Sequence, residues 1–316
     1  MTASETPKQK FDKWVSALPD PEFVKRWLTS LFDRGRSRHT IEAYRRGLLN
    51  FMLWSRATDG GSFVPGRMIA RDIKDWMGWQ RTVKKQSPAT VNQRMAAVSE
   101  FYRWAKDQGL ARINPTTDVT GVAPAQRTIK SLDESEYRRL LRQVHGEGNL
   151  RDIAMIEMLG GTGLRVGELL ALKIGDLKIT PRGGTVIVRM GKYDKFREVP
   201  LPTHVRQALN QYLAEHPDRT NPNAELWIGQ RGALKGRSAV LRMLEKYAIA
   251  ARLKAFGPHT LRHTFASRYL AANPGDLRGL AALLGHASIN TTMIYTEPAL
   301  GDLANRMEKI DNGAGE

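Results

Sequence analysis

His259-Thr260-Leu261-Arg262, Leu283-Leu284-Gly285-His286 and Tyr295 gather two imidazoles, a guanidinium and a phenol in one stretch near the C-terminus. These groups suit chemistry on a phosphodiester. A guanidinium holds two nonbridging oxygens at once. An imidazole exchanges a proton near neutral pH, and a phenol can be a covalent nucleophile. His259 and Arg262 are spaced to share one side of a helix. His259 could instead pair with His263 as a metal site, but the His-Glu-x-x-His pattern of a metal-dependent hydrolase is absent. Nor does the stretch resemble a carboxylate cage for Mg²⁺, so His263 is read as structural. His286 follows Gly285, which permits a tight turn that aims the ring. Tyr295 lies nine residues beyond His286 in a short polar segment that starts at Ser288. Its phenol, with an ordinary pKa near 10, needs help to ionise.

A second group lies upstream, at Gly161-Thr162-Gly163-Leu164-Arg165-Val166-Gly167-Glu168-Leu169. Arg165 reads as the start of a helix after a Gly-Thr-Gly turn, where backbone N–H groups could face an anion. The plainer reading is an i,i+3 ion pair between Arg165 and Glu168. A third group is the turn Gly191-Lys192-Tyr193-Asp194-Lys195-Phe196, between two strand-like runs, Thr185–Arg189 and Arg197–Leu201.

The elements that must position these groups fall into two blocks. Residues 1–20 read as a flexible leader. Residues 21–113 read as four helices with no strand: Pro21–Arg34, one capped by Ser37, one over 70–83, and one opened by Ser87-Pro88 and ended by Gly109. Ile41, Tyr44, Leu48, Phe51 and Trp54 recur at helical spacing, as do Val91, Met95, Val98, Tyr102 and Ala105. Residues 114–130, with Pro115, Gly121 and Pro124, read as a linker. Ser131-Leu132-Asp133-Glu134 reads as a capping box that opens the second block. Helices follow at 131–145, 150–160, 203–215, 238–251, 260–272, 276–284 and 288–295, interrupted by the two strands. In 298–316, Leu300, Leu303, Met307 and Ile310 form the apolar stripe of a tail helix.

The chain has 316 residues, a net charge of +17 and a pI of about 10.2. The excess is spread over both blocks and points to a polyanionic partner; a solubility device or a ribosome-associated protein is the alternative. Cysteine is absent, which excludes disulfides and thiolate metal sites. The polar N-terminus lacks the apolar core of a signal peptide, and no run of about 18 apolar residues offers a membrane span. A cytoplasmic protein is expected.

With the second group in front of the first, the chain resembles the tyrosine recombinase (phage integrase) family, the group of the Xer and Cre recombinases. The likeness is densest over Thr162–Leu172, His259–Ala266 and Leu283–Tyr295. It implies a mainly α fold: an N-terminal four-helix core-DNA-binding domain and, over 131–297, an α-rich catalytic domain with a small antiparallel β-sheet. It implies Tyr295 as nucleophile, with Arg165, Arg262 and His286 on the phosphate and His259 as proton acceptor. Lys192 would be the general acid, with Lys195 as its rival in the same turn, and Glu168 would support Arg165. The expected activity is site-specific recombination through a 3′-phosphotyrosyl link and a Holliday junction, with no metal, ATP or other cofactor. The expected partner is double-stranded DNA with a specific core site, met by a homotetramer on two sites that is monomer or dimer when free. Arg38, Arg45 and Arg94 are candidate DNA contacts, and the tail is expected to pack on a neighbouring protomer. A bacterial, nucleoid-associated location follows, with no membrane. Type IB topoisomerase-like relaxation and a non-catalytic accessory role are the alternatives.

Overall fold

The computed structural model describes residues 5–123, 131–189, 196–229, 232–234 and 236–285. Its chain divides into two compact units, with the boundary between Arg127 and Thr128.

The first unit is helical throughout: α1 (Pro7–Ser16), α2 (Glu22–Asp33), α3 (Arg38–Asp59), α4 (Ala70–Thr82) and α5 (Pro88–Asp107). The four expected helices are α2 to α5. Ser37 and Ser87 cap α3 and α5, accepting from the backbone N–H of Thr40 and Thr90. Trp27, Leu31, Ile41, Leu48, Phe51, Trp76, Val98 and Phe101 make a fully buried core. Burial of each such side chain contributes about 1.5–3 kcal/mol before entropy. At Gly47 an added Cβ would come within 2.8 Å of Ala97 Cβ, so the glycine sets how closely α3 and α5 pack.

Two expectations are corrected in this unit. Half of the supposed flexible leader is α1, opened by a Thr6–Gln9 capping box and held by buried Phe11 and Val15, with Phe11 stacked on Phe32 at 4.2 Å. The polar composition of 1–20 concealed two apolar residues four apart. The supposed linker also begins later than Asn114. Val119 and Val122 pack on the first core, and the Asn92 amide bonds the backbone of Val122 in both directions. Residues 124–130 lie outside the described residues.

The second unit is built around α7 (Leu150–Thr162), in which every residue from Asp152 to Thr162 is buried. Such a helix is enclosed on all sides rather than amphipathic. Preceding it is α6 (Glu134–Glu147). The capping box of α6 is formed by Asp133 with Glu136, two residues later than the Ser131 box expected. After α7 comes the five-residue α8 (Val166–Leu170), then an antiparallel sheet of β1 (Leu177–Ile179), β2 (Gly184–Arg189) and β3 (Phe196–Pro200), in that order. The two expected strands are β2 and β3, in register Val186↔Val199 and Arg189↔Phe196. The short β1 was not foreseen. Nor was the hairpin β4 (Ile228–Gly229) with β5 (Gly232–Ala233), which follows α9 (Thr203–Ala214). The described chain closes with α10 (Arg237–Ala250), α11 (Pro258–Ala272) and α12 (Leu277–Leu284). The mainly α fold with small antiparallel sheets is as expected. Among the described residues, no helix is long and apolar enough to cross a membrane.

Candidate active site

Three stretches far apart in sequence meet at the end of α12. The helix stops at Gly285, which takes a left-handed φ of +64°, a conformation that costs glycine little. Its last carbonyls, at the negative end of the helix, attract cations. The buried guanidinium of Arg262, on α11, donates from Nη2 to the Leu284 carbonyl at 2.8 Å and from Nη1 to the Gly163 carbonyl at 2.7 Å. Arg165 donates from Nη1 to the same Leu284 carbonyl at 3.4 Å. Arg197, on β3, donates from Nε to the Leu283 carbonyl at 2.9 Å.

One carboxylate organises the cluster. Glu168, on the first turn of α8, accepts from Arg165 Nη1 at 2.9 Å and from the Arg165 backbone N–H at 2.8 Å. It also accepts from Arg197 through both oxygens, at 3.0 and 2.9 Å. Burial pushes the Glu168 carboxyl up, but the Arg197 hydrogen bonds, the Arg165 backbone N–H and both guanidinium charges outweigh it and hold the group below the usual carboxylate range. Two guanidiniums on one carboxylate, with Arg262 on the adjoining carbonyls, leave the cluster positive, which suits a phosphate. Arg165 is the least enclosed of the ionic trio: 40% of its side chain is exposed, against 10% for Arg197.

The Gly161-Thr162-Gly163 segment does not act as expected. Gly161 and Thr162 are the last turn of α7, and Gly163 is its left-handed cap at φ +65°. The segment therefore presents a carbonyl, which Arg262 takes, rather than N–H groups for an anion. Glycine is required at 163 for space as well: a Cβ there would lie 2.4 Å from the Phe265 ring and 2.8 Å from Leu284.

His259 lies exposed in the first turn of α11, one turn before Arg262. His263 is half-buried. Burial first, then the neighbouring His259 and Arg262, lowers its pKa, which favours the uncharged imidazole. Among the described residues there is no group of three or more His, Cys, Asp or Glu able to hold a metal ion. Lys192, its rival Lys195, His286, Tyr295 and the tail over 298–316 lie outside the described residues.

Arg197 is the participant that sequence reasoning missed, having been read only as part of a strand. The signal was there. Arg197 and Val199 alternate onto the same face of β3, Val199 is buried, and an arginine turned inward needs a carboxylate partner.

The three candidate contacts in the first unit differ. Arg38 is exposed, paired with Glu42 at 3.3 Å and seated over the Trp14 ring at 4.8 Å. Arg45 is neutralised by Asp20, to which it donates twice, once at 2.7 Å. Arg94 donates to Gln80 at 3.0 Å and Asn50 at 3.4 Å within the helical core. Only Arg38 presents an exposed side chain.

Arg262→Ala would leave the Gly163 carbonyl without its charged donor and Leu284 with only the longer bond from Arg165. The expected loss is about 2–4 kcal/mol of stability, read as a lower urea midpoint with an unchanged slope. An unchanged midpoint would mean that these carbonyls find other partners.

The phage integrase family model matches residues 130–300, and the model of the phage integrase N-terminal SAM-like domain matches residues 24–109. The tyrosine recombinase XerC of Pelobacter propionicus is 35% identical over 284 residues, covering 88% of this chain and 90% of its own. The tyrosine recombinase XerD of Ralstonia nicotianae is 33% identical over 291 residues, with coverage of 88% and 90%. Among solved structures, the XerH site-specific recombinase in a post-cleavage complex with palindromic difH substrate superposes with a TM-score of 0.72 at 22% identity. That match covers 98% of this chain and 95% of the other.

Proposed function

The chain belongs to the phage integrase family of tyrosine recombinases, and we infer that it is a site-specific DNA recombinase that cuts and rejoins strands through a phosphotyrosyl link. The observation that carries this reading is the pair of guanidiniums, Arg165 and Arg262, on the one carbonyl of Leu284, two residues before His286. A phosphodiester placed against that pair would have its nonbridging oxygens held and its developing charge stabilised. Glu168 keeps Arg165 oriented.

In the proposed reaction the Tyr295 oxygen attacks the phosphorus in line, and its proton passes to His259. Arg165, Arg262 and His286 stabilise the pentacoordinate charge. Lys192 protonates the departing 5′ oxygen. The products are a 3′-phosphotyrosyl bond and a free 5′-hydroxyl. The energy of the broken bond is kept in the new one, so no ATP is needed. Attack by a 5′-hydroxyl from a second duplex reverses the step; one round of exchange forms a Holliday junction and a second resolves it. Double-stranded DNA carrying a core site is the partner, with the first unit as the core-binding domain, Arg38 its best-placed contact and phosphates dominating affinity. A homotetramer on two sites would be joined through the tail at 298–316. The chain would work in the bacterial cytoplasm, at the nucleoid.

The experiment begins with the DNA that crosslinks to the protein. Sequencing it defines the site, and a nicked version of that site should trap a covalent complex visible on a denaturing gel. Exchange between two such sites, rather than relaxation of a supercoiled plasmid alone, separates a recombinase from a topoisomerase. Trapping of no covalent complex on a bound site would leave a DNA-binding accessory role.

Cleavage should persist in excess EDTA, because guanidiniums supply the positive charge that a metal would otherwise provide. Loss of cleavage that Mg²⁺ restores and spermidine does not would overturn the proposed chemistry.

A further inference from the structure

We propose that Arg197 is a positioning residue for strand cleavage, tying Glu168, and through it Arg165, to the end of α12 that leads into His286. The proposal rests on the recombinase reading above.

One guanidinium uses three donors in three directions. Nη1 and Nη2 take the two oxygens of Glu168, and Nε takes the Leu283 carbonyl. The side chain therefore joins three elements that no other residue in the cluster joins: strand β3, helix α8 and the C-terminus of α12. The fit is close. A Cβ on Gly285 would lie 2.8 Å from Arg197 Nη1 and 3.0 Å from its Cζ, so the guanidinium lies directly against the residue that precedes His286.

The consequence for Arg165 is geometric. Glu168 accepts from Arg165 by both side chain and backbone, so the carboxylate sets where the Arg165 guanidinium lies. A carboxylate held only from that side could rotate about its own side-chain bonds. The two parallel bonds from Arg197 fix its plane. Arg197 is nearly enclosed, with 10% of its side chain exposed, whereas Arg165 has 40% exposed. The division of labour follows from the partners: Nε, Nη1 and Nη2 of Arg197 are all taken by Leu283 and Glu168, so Arg197 holds the carboxylate that aims the more exposed Arg165. The register Arg189↔Phe196 adds a second effect, since the bonds that Arg197 makes also anchor the base of the β2–β3 hairpin.

Lysine cannot replace this arrangement. An ammonium is a point charge without the planar fork, and cannot span two carboxylate oxygens while bonding a carbonyl on a third side. Arg197→Lys keeps the charge and loses the geometry.

The test is single-turnover cleavage of a nicked substrate built on the DNA recovered from the wild-type protein. Arg197→Lys and Arg197→Ala should slow formation of the covalent complex about 100-fold, with affinity for the same DNA unchanged. Glu198→Gln serves as control: it removes only an exposed pair with Lys178 on the opposite face of β3, and should cleave normally. The decisive measurement is a double-mutant cycle. In an Arg165→Ala background, Arg197→Lys should cost little more, because its effect runs through Arg165. A full additional loss in that background, accompanied by a lowered melting temperature, would make Arg197 merely structural and overturn the proposal; so would normal cleavage by Arg197→Lys. Should Arg197→Ala fail to fold, the lysine variant carries the cycle. Failure of the wild-type protein to form any covalent complex would count instead against the recombinase reading.

Discussion

Tyr295→Phe should bind its DNA site normally and form no covalent complex with it. The substitution removes one oxygen and keeps the ring, so contacts that depend on shape survive. Loss of a nucleophile in a comparable covalent mechanism costs on the order of a millionfold in rate, which on a gel means no product. The environments of the other tyrosines sharpen the expectation. Burial pushes the phenols of Tyr102, Tyr137, Tyr212 and Tyr247 up, so forming a phenolate there is harder than in water. Tyr269 donates its hydroxyl to Asp276 at 2.6 Å, and that bond raises it too. Tyr44 stacks with Trp27 in the aromatic core of the first unit. Of the eight tyrosines, only Tyr193 and Tyr295 remain as candidates. Tyr193→Phe is therefore the paired control, and it should trap as much DNA as wild type. A trapped complex from Tyr295→Phe, lost in Tyr193→Phe, would move the nucleophile to the hairpin.

The parts of the fold that the sequence made legible were those set by local rules. Ser37 and Ser87 announce their helices because a hydroxyl at a helix start satisfies a backbone N–H that nothing else nearby can. The run Thr185–Arg189 announces a strand because its first four side chains are β-branched. Where two local signals compete, the pattern misleads: both Ser131 and Asp133 are capping residues, and only the geometry selects Asp133. The polar residues 1–20 conceal α1 because its anchors, Phe11 and Val15 with the partly buried Trp14, pack against a surface assembled from elsewhere in the chain. The third strand β1 has three residues, too few for any alternation to register.

The candidate site divides in the same way. Arg165, Glu168 and Arg262 stood out because their motifs are dense, and the fold brings them to one helix end. What the motifs could not reveal is the means. The meeting point is a pair of carbonyls, at Leu283 and Leu284, and backbone atoms carry no sequence signal. Arg197 was missed for a related reason. Its partner Glu168 is 29 residues away in sequence, so no local spacing rule connects them.

Lys192→Ala should slow cleavage of an ordinary substrate by about 10²–10⁴, yet barely affect one whose 5′-bridging oxygen is replaced by sulfur. The reasoning is about the leaving group. An alkoxide departs poorly unless protonated as the bond breaks, whereas a thiolate is stable enough to leave unaided. An acid that matters for one and not the other acts on the leaving atom. Lys192 is three residues from the end of β2 at Arg189, a span of at most about 10 Å even when fully extended. Lys195 immediately precedes β3, two residues from Arg197. Position in the turn does not separate them, and the family resemblance of Gly191-Lys192 is what favours the first. The sulfur substrate does separate them: the lysine whose loss is rescued is the acid. Rescue of Lys195→Ala and not of Lys192→Ala would transfer the role to Lys195. Equal slowing of both variants on both substrates would show that neither lysine protonates the leaving group, and that the turn acts only by gripping DNA.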